Sequence, residues 1–164
     1  MKNLYLIGGT MGIGKTTVCQ HLKKELYNSV FLDGDWCWDA SPFQVTDETK
    51  GVVLDNITHV LNNFIRCSAY ENIIFCWVMH EQSIIDAILE KLDLSDCRVR
   101  SISLIAGEKA VRERIASDIA KGIRTPDAME RSLARLPLYQ KLNTIKIDTT
   151  GKSVQEICGE IRVL

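Results

Sequence analysis

The sequence predicts an α/β fold, a three-layer sandwich in which a five-stranded parallel sheet lies between two layers of helices. Short apolar runs, typical of strands buried on both faces, alternate along the 164 residues with longer stretches whose apolar side chains recur at helical spacing. A glycine-rich turn joins the first strand directly to the first helix. Strands that alternate with helices form a parallel sheet covered on both faces. Because the chain contains no internal repeat, low-complexity tract or linker, we expect a single domain over residues 1–164.

The first half of the chain predicts three strands and three helices. The strands are apolar runs at residues 4–7, 30–32 and 73–78. The helices carry apolar stripes and are expected at about residues 15–27, 46–68 and 84–93. The second helix has the clearest start, because Thr46 can cap a first turn in which Asp47 and Glu48 complement the positive end of the helix.

The second half predicts two more strands and three more helices. The strands are expected at residues 99–105 and 145–147, and the helices at residues 108–121, at about 125–142, and from position 153 onward. Gly122 closes the first of these helices, and Pro137 should bend or interrupt the second because proline lacks a backbone N–H. Ser153 and Glu156 have the spacing of a capping box and begin the last helix.

Composition and charge limit the expected partners. The formal net charge is −1, so no overall basic field would attract nucleic acid, and no apolar run approaches the ~20 residues of a membrane span. The N-terminus enters a strand at once, so we expect no signal peptide. The six cysteines are dispersed without a C-x-x-C pair, as is typical of reduced thiols. We therefore expect a cytoplasmic protein that binds neither nucleic acid nor membranes; the sequence gives no indication of its oligomeric state.

Residues 9–16 match the P-loop pattern G-x-x-x-x-G-K-[ST] at every fixed position. The glycines let successive backbone N–H groups point at one anion, and the following helix presents its positive N-terminal end to the same anion. Lys15 is expected to reach the β- and γ-phosphates of a nucleoside triphosphate, and Thr16 to bind Mg²⁺. The predicted nucleotide-binding residues here are Gly9, Thr10, Met11, Gly12, Ile13, Gly14, Lys15, Thr16 and Thr17.

Asp33 and Asp35 flank a glycine at the carboxyl end of the second strand. Ligands of open α/β sheets bind beyond that edge, so both carboxylates are expected beside the phosphates. One could hold Mg²⁺, which prefers oxygen ligands, and the other could orient and partly deprotonate an acceptor hydroxyl. The alternative is an ordinary turn, in which aspartate and glycine are common. The third strand has no terminal aspartate, so the metal site would rest on Thr16, Asp33 and water.

Aromatic residues follow these aspartates. Trp36 and Trp38 could wall an acceptor pocket with flat apolar surface, or could equally belong to the core beneath the second helix. Trp77, Met79 and His80 end the third strand and are expected to face the same cavity. A contact of His80 with the acceptor is the functional hypothesis, although a lone histidine is more often structural.

Basic residues are concentrated around Gly122 in the second half of the chain. Phosphoryl transfer needs positive charge near the γ-phosphate, which often comes from arginines on a segment that closes over the site. We expect such a helical lid within about residues 108–142, with Arg124 as its catalytic arginine because it lies between the two helices. The alternative is a solvated helical face paired with neighbouring acids. The candidate cations are Arg112, Arg114, Lys121, Arg124, Arg131 and Arg135.

The P-loop, then Leu32-Asp33-Gly34-Asp35 after the second strand, then an arginine-bearing lid, together resemble the small P-loop kinases. This group includes gluconate, shikimate, adenylylsulfate and nucleoside monophosphate kinases. The resemblance spans nearly the whole chain and is most specific at the P-loop. It implies the P-loop nucleoside triphosphate hydrolase fold, with strand order 2-3-1-4-5.

The same resemblance assigns roles to individual residues. It places Asp33 on the metal side and Asp35 on the acceptor hydroxyl. It puts Arg114 in register with an arginine that stacks on adenine, and it makes the loop at residues 148–152, including Thr150, the segment that contacts the adenine edge. A second arginine often follows four residues after the first in these kinases. Here that position is Asp118, which shifts the expected lid chemistry to Arg124.

The function predicted from these observations is an ATP- and Mg²⁺-dependent kinase that transfers the γ-phosphate to a hydroxyl of a small molecule, of sugar-acid, cyclitol, nucleoside or antibiotic type. A nucleoside monophosphate kinase is a near alternative, but it would require an acceptor pocket lined with arginines. A P-loop ATPase or nucleotide switch is an alternative of another class. No guanine-reading N-K-x-D motif supports the switch.

Overall fold

The computed structural model describes residues 1–164 and contains one five-stranded parallel sheet. Its strand order, β2-β3-β1-β4-β5, is the order that the sequence predicted, and the predicted fold class is confirmed. β1 lies at the centre, and its residues from Leu4 to the P-loop are buried because strands cover it on both sides and helices on both faces. The strands are β1 (Lys2–Gly9), β2 (Ser29–Asp33), β3 (Asn72–Trp77), β4 (Cys97–Ile105) and β5 (Ile145–Asp148).

Six α-helices connect and follow these strands: α1 (Lys15–Glu25), α2 (Asp47–Arg66), α3 (Gln82–Glu90), α4 (Glu108–Ala120), α5 (Asp127–Arg135) and α6 (Val154–Arg162). Two short 3₁₀ helices cover Gly34–Cys37 and Leu136–Lys141. The first of them was not predicted, because a single 3₁₀ turn leaves no periodic pattern in a sequence. The second replaces the predicted continuation of α5, since Pro137 cannot supply the N–H that an α-helix needs there.

The sheet separates two hydrophobic cores. Alternate residues of β1 point to opposite faces, so Tyr5 and Ile7 belong to one core and Leu4 and Leu6 to the other. The first core also contains residues of α1, α4 and α6, and the second contains residues of α2 and α3. Helices therefore lie on both faces of the sheet, and all five strands end on the same edge, where the P-loop begins.

The predicted helix caps are present in the structure. The Thr46 hydroxyl accepts a hydrogen bond from the backbone N–H of Thr49 at 3.1 Å and starts α2. Ser153 and Glu156 form the reciprocal capping box of α6: the Ser153 hydroxyl accepts from the Glu156 backbone N–H at 3.2 Å, and the Ser153 backbone N–H donates to the Glu156 carboxylate at 2.7 Å. Gly122 follows α4 with a φ of +71°, a left-handed conformation that glycine adopts without strain.

None of the six helices is long and apolar enough to cross a membrane.

Candidate active site

The P-loop connects β1 to α1 at the carboxyl edge of the sheet. Gly12 and Gly14 have φ values of +80° and +101°, in the left-handed region that favours glycine. Gly12 is constrained twice, because a Cβ there would also lie 2.6 Å from Cγ1 of Ile115 in α4. Gly14 precedes the first residue of α1, so the turn directs the N-terminus of that helix toward the space above the loop.

Lys15 begins α1 and extends back over the P-loop. Its ammonium group donates to the backbone carbonyl of Thr10 at 3.1 Å, and no carboxylate lies within 4.0 Å of it. Burial lowers the pKa of Lys15 from its usual value, and the charges of Asp35 and Asp33 only partly oppose this effect. A partly buried ammonium group held by one carbonyl fits an anion such as a phosphate, which would supply the missing acceptors.

Thr16 and Asp33 meet directly across the turn. The Thr16 hydroxyl donates to Oδ2 of Asp33 at 2.8 Å, and Oδ1 of Asp33 accepts from the backbone N–H of Asp35 at 3.1 Å. This places a hydroxyl and a buried carboxylate side by side, and both are ligands that Mg²⁺ accepts. No cluster of three or more His, Cys, Asp or Glu side chains could hold a metal ion. The pair therefore fits a Mg²⁺ ion that keeps water and phosphate as its other ligands, the usual way this ion is bound beside a nucleotide.

Asp35 follows in the first 3₁₀ helix, and its side chain is exposed to the cavity above the sheet. Partial burial raises the pKa of Asp35, and the neighbouring Asp33 carboxylate raises it further, while Lys15, Trp77 and Arg124 oppose the shift. An ionised carboxylate with a raised pKa is a stronger base than an ordinary aspartate. Asp33 and Asp35 thus have different environments, the first buried and bonded to Thr16, the second facing open space.

A cavity of about 1220 Å³ opens at this edge of the sheet. It is larger than most sites for a single small ligand, which occupy roughly 300–1,000 Å³. Asp33 and Asp35 lie between two groups of lining residues. The P-loop half comprises Met11, Gly12, Gly14, Lys15, Thr16, Thr17, Glu113, Arg114, Ser117, Asp118, Arg124 and Arg131. The α2–α3 half comprises Trp38, Phe43, Val45, Lys50, Leu54, Trp77, Val78, His80, Glu81, Ser83, Ile84, Ala87 and Arg135.

Trp38 lines the α2–α3 half and Trp36 does not, so only Trp38 has the pocket-wall position that was one of the two alternatives for these tryptophans. The ring of Trp36 is 58 % exposed and lies edge-on against Phe31, with ring centroids 5.3 Å apart. The reason is the 3₁₀ turn. Side chains three residues apart share a side of such a turn, so Trp38 follows Asp35 into the cavity and Trp36 points away.

The residues at the end of β3 and just after it do not all line the cavity. Trp77 and His80 line the cavity, as expected. Met79 does not: it is buried in the second core, where its side chain contacts Gly8 closely enough that a Cβ at Gly8 would lie 3.6 Å from it. β3 ends at Trp77, and the Met79 backbone N–H donates to the Trp77 carbonyl at 3.1 Å, so a tight turn after the strand directs Met79 into the core.

His80 carries an unpaired ring nitrogen at the edge of the cavity. Its Nδ1 is buried without a hydrogen-bond partner, and its Nε2 lies 3.5 Å from a carboxylate oxygen of Glu81. Burial lowers the pKa of His80, and the nearby charge of Arg135 lowers it further. The imidazole is therefore neutral at pH 7, with Nδ1 enclosed by the protein and Nε2 beside Glu81.

Arg114 is fixed in place across the P-loop. Its guanidinium donates to the backbone carbonyl of Ile13 at 3.3 Å, and to the hydroxyl and backbone carbonyl of Thr149, each at 3.1 Å. Thr150, the neighbouring residue that we expected near the nucleotide, lies outside the cavity lining, and its hydroxyl accepts from the backbone N–H of Gly107 at 2.9 Å. Thr149, which sequence reasoning missed, is the residue of this loop that holds Arg114.

The remaining basic residues of α4 and α5 differ in their partners. Arg124 lines the cavity and forms an ion pair with Asp118 at 2.9 Å, so the aspartate that replaces a family arginine holds the arginine in the adjoining loop. Arg131 also lines the cavity and pairs with Asp127 at 3.0 Å. Arg112 and Lys121 do not line the cavity, and Arg112 pairs with Glu108.

Arg135, the last residue of α5, lines the α2–α3 half of the cavity and forms no ion pair. Sequence reasoning counted it among the lid cations without giving it a role. Its position beside His80 depends on how α5 crosses the carboxyl edge of the sheet, which no local pattern encodes.

Three P-loop residues, Gly9, Thr10 and Ile13, do not line the cavity. They contribute to the site through their backbone or by holding the loop in place. Gly9 lies at the end of β1, and the Ile13 side chain is buried in the first core. Thr10 is fully buried, and its hydroxyl donates to the backbone carbonyl of Ser132 in α5 at 2.8 Å. The Ser132 hydroxyl in turn donates to the backbone carbonyl of Met11 at 2.7 Å, so α5 is anchored to the P-loop.

Comparison with known proteins adds to this geometry. A family model described as an AAA domain matches residues 6–132, which is most of the chain. A shikimate kinase from Bacillus cytotoxicus is 28 % identical to this chain over 171 aligned positions, which cover 98 % of this chain and 96 % of the relative.

Solved structures share the fold at lower identity. A gluconokinase from Sinorhizobium meliloti superimposes with a TM-score of 0.70 and 19 % identity, covering 96 % of this chain and 88 % of the gluconokinase. A tunicamycin resistance protein from Deinococcus radiodurans superimposes with a TM-score of 0.72 and 18 % identity, covering 99 % of this chain and 95 % of that protein.

Proposed function

The chain belongs to the AAA domain family and has the fold of the small P-loop kinases, and from this premise we propose that it transfers the γ-phosphate of ATP to a hydroxyl group of a small molecule. The shikimate kinase and gluconokinase relatives confirm the predicted resemblance to this kinase group and support an alcohol group as the phosphate acceptor. The observation that carries the proposal is the position of Asp35. Its side chain lines the same cavity as Lys15 and Arg124 of the P-loop half and Trp77 of the α2–α3 half.

Each residue of the P-loop half has a role in this reaction. The P-loop amides and Lys15 would hold the β- and γ-phosphates of ATP. Thr16 and Asp33 would hold Mg²⁺, whose charge offsets that of the phosphates when it is bound. Arg124 supplies a cation to the cavity lining, and its separation from Asp118 would free it for the transferred phosphoryl group.

Asp35 is the proposed proton acceptor. It accepts the proton of the acceptor hydroxyl while that oxygen forms its bond to the γ-phosphorus and the bond from the γ-phosphorus to the β–γ bridging oxygen breaks. The products are ADP, a phosphate ester and the proton held by Asp35, which then passes to solvent. The raised pKa of Asp35 suits this role because it brings the carboxylate closer to the ideal strength of a base at neutral pH.

The contents of the α2–α3 half favour a hydroxyl over a phosphate acceptor. A nucleoside monophosphate kinase needs several cations around the second phosphate, whereas this half contains one arginine, Arg135, together with Lys50 and a neutral His80. Lys50 lies 4.0 Å from Asp47, and both side chains are exposed to solvent. A single uncommitted arginine fits one polar or anionic group of an acceptor.

The proposal is tested by transfer from Mg-ATP to a panel of sugar acids, cyclitols, nucleosides and antibiotics, with the variant Asp35→Asn measured in parallel. We expect the variant to bind ATP normally and to lose transfer by about 10²–10⁴-fold, the usual contribution of a general base. Asp39→Asn is the matched control, because Asp39 is exposed, close in sequence and outside the cavity. A P-loop ATPase or switch predicts the opposite: Asp35→Asn would leave nucleotide turnover unchanged, and no acceptor would raise ADP release above the background.

We further propose that residues 1–164 form one kinase domain and that the lid lies within about residues 108–142, because Arg124, Arg131 and Arg135 from this segment line the cavity. Since Ser132 anchors α5 to the P-loop, the connection between α4 and α5 is the part expected to move. We also propose that the protein acts in the cytoplasm, a reading supported by six cysteines that all remain free thiols.

A further inference from the structure

The α2–α3 half of the cavity contains a continuous apolar surface. Six side chains form it, and we call them the apolar wall: Trp38, Phe43, Val45, Leu54, Trp77 and Ile84. Phe43 and Val45 are 60 % and 58 % exposed, although residues of this kind normally avoid water. Apolar side chains exposed together at the mouth of a cavity commonly mark a surface that a ligand covers.

The apolar wall has a fixed part and a free part. Trp38, Leu54, Trp77 and Ile84 pack against the second core, which holds them on α2, α3 and the end of β3. Phe43 and Val45 belong to neither core, and Phe43 touches the rest of the wall through Trp38, with ring centroids 5.0 Å apart. The rings of Trp38 and Trp77 are 6.3 Å apart and tilted by 53°. A ligand between the fixed rings and Phe43 would meet flat apolar surface on more than one side.

Beside the apolar wall, this half has five polar lining residues: Lys50, His80, Glu81, Ser83 and Arg135. Asp35 marks the reacting position, and Arg135 forms no ion pair. A molecule covered with hydroxyl groups would bury several of them against tryptophan, phenylalanine and leucine, where they would lack hydrogen-bond partners. A molecule with one polar end and one apolar end would match both surfaces.

We infer that the phosphate acceptor is a hydroxylated molecule with a flat, uncharged apolar body, such as an aromatic ring, which lies against the apolar wall while its hydroxyl reaches Asp35. The inference rests on the proposed kinase function and specifies the substrate class of the same site. The transfer step is unchanged: the acceptor oxygen bonds to the γ-phosphorus, the bond to the bridging oxygen breaks, and the hydroxyl proton goes to Asp35. Arg135 is the partner for a remaining polar group at that end.

The inference is tested with matched pairs of probes that present the same hydroxyl groups with and without an aromatic body. Phenyl and methyl β-glycosides of glucose, galactose and xylose form such pairs. Binding is measured by quenching of tryptophan fluorescence in the presence of Mg²⁺ and a non-hydrolysable ATP analogue, and transfer is measured with Mg-ATP as phosphate ester formed. We expect the phenyl member of at least one pair to bind about tenfold or more tightly than the methyl member, because burial of an aromatic ring is worth at least the ~1.4 kcal/mol that corresponds to a factor of ten.

Two variants connect the preference to the wall, and one serves as a control. Trp38→Ala should abolish the preference for the phenyl glycoside, and so should Phe43→Ser, which alters an exposed side chain and leaves the cores intact. Trp36→Ala is the matched control: it removes a tryptophan two positions away that lies outside the cavity, so the preference should persist.

The outcomes separate the inference from the kinase function. Equal binding of phenyl and methyl glycosides in every pair, or no binding of either, overturns the inference. If transfer to methyl glycosides or sugar acids is then observed, the kinase function stands without it. A phenyl preference that depends on Trp38, but without transfer above background hydrolysis, supports the apolar-body inference and contradicts the kinase function. A preference that survives Trp38→Ala and Phe43→Ser also overturns the inference, because the ring would then bind elsewhere.

Discussion

Asp35 faces a second carboxylate and is partly buried, and both conditions favour its neutral form. Its folded-state pKa is raised above the ordinary value of 3.8, so the ionised group makes the folded protein less stable than an uncharged group would. We therefore predict that Asp35→Asn raises the melting temperature of the nucleotide-free protein at pH 7 while it removes transfer. Residues that weaken a fold in order to serve a reaction commonly behave in this way.

The pH dependence of that gain identifies its cause. Below pH 3.8 the carboxyl is protonated in the folded and unfolded states alike, so the penalty is absent there and grows as the pH rises through the folded-state pKa. The difference in melting temperature between Asp35→Asn and the unmodified protein should accordingly be largest at neutral pH and shrink as the pH falls toward about 4. Asp39→Asn should show no comparable trend. A gain that is the same at pH 7 and at about pH 4 would mean that charge is not its source.

Gly12 shows how one position can be constrained by both its backbone and its surroundings. A methyl group there would require an L-residue at a φ of +80° and would meet Ile115 at 2.6 Å. We predict that Gly12→Ala lowers the free energy of unfolding by about 1–3 kcal/mol, the usual cost of overpacking a core, and also weakens ATP binding. Chemical denaturation and nucleotide titration measure the two effects.

Gly51 provides the control for that substitution. It lies within α2, where a Cβ would have no heavy atom within 4 Å and the backbone φ is not positive. Gly51→Ala should therefore stabilise the protein by roughly 0.5–1 kcal/mol, because alanine loses less backbone freedom than glycine on entering a helix. If both alanine variants lost similar stability, the special geometry of the P-loop glycine would not be the explanation.

At the scale of elements, the contact between α5 and the P-loop joins the candidate lid to the nucleotide site. Ser132 is buried, and its hydroxyl donates to the Met11 carbonyl at 2.7 Å. We predict that Ser132→Ala costs about 1–2 kcal/mol of unfolding free energy, since the Met11 carbonyl loses its donor, and that it weakens ATP binding because the loop backbone loses support.

Ser95→Ala is the appropriate control, since the Ser95 hydroxyl donates to Asp93 on an exposed turn. Its effect should stay within about 0.5 kcal/mol, as is usual for surface positions. An equal loss of stability in both variants, or unchanged ATP affinity in Ser132→Ala, would show that α5 does not support the loop.

Elements with a periodic apolar pattern were predictable, and their junctions were less so. The continuous apolar run that marks residues 4–7 as a strand buried on both faces is a property of the local sequence. The 3₁₀ turn that directs Trp36 away from the cavity has no such pattern. The same limit applies to Arg135, whose unpaired state depends on the path of a helix that is far from β2 and β3 in sequence.

At the scale of the whole molecule, the parallel sheet brings the carboxyl ends of all five strands to one edge, so the P-loop after β1 and the aspartates at the end of β2 lie at the same edge. The strand order itself was predicted from the resemblance to the small P-loop kinases. The residues that the P-loop pattern specifies were therefore predictable in both identity and place. The apolar wall was not, because Phe43, Leu54 and Ile84 come together only when α2 and α3 pack on one face of the sheet.

Because the nucleotide would contact the P-loop, α1, the end of β2 and the lid together, its binding should stabilise the entire molecule. A ligand that binds only the folded state at 100 times its dissociation constant adds about 2.7 kcal/mol to the unfolding free energy, which for a chain of this size raises the melting temperature by about 5–10 °C. We predict a rise of this order with ATP and Mg²⁺, and a smaller rise with ATP and a chelator.

In Asp33→Asn, the rise in melting temperature with Mg²⁺ and the rise with a chelator should become equal, because Asp33 and Thr16 are the pair expected to hold the metal. Asp39→Asn should keep the difference. If ATP stabilised the unmodified protein equally with and without Mg²⁺, Thr16 and Asp33 would not form a metal site. Lys15 and the loop amides alone would then bind the phosphates.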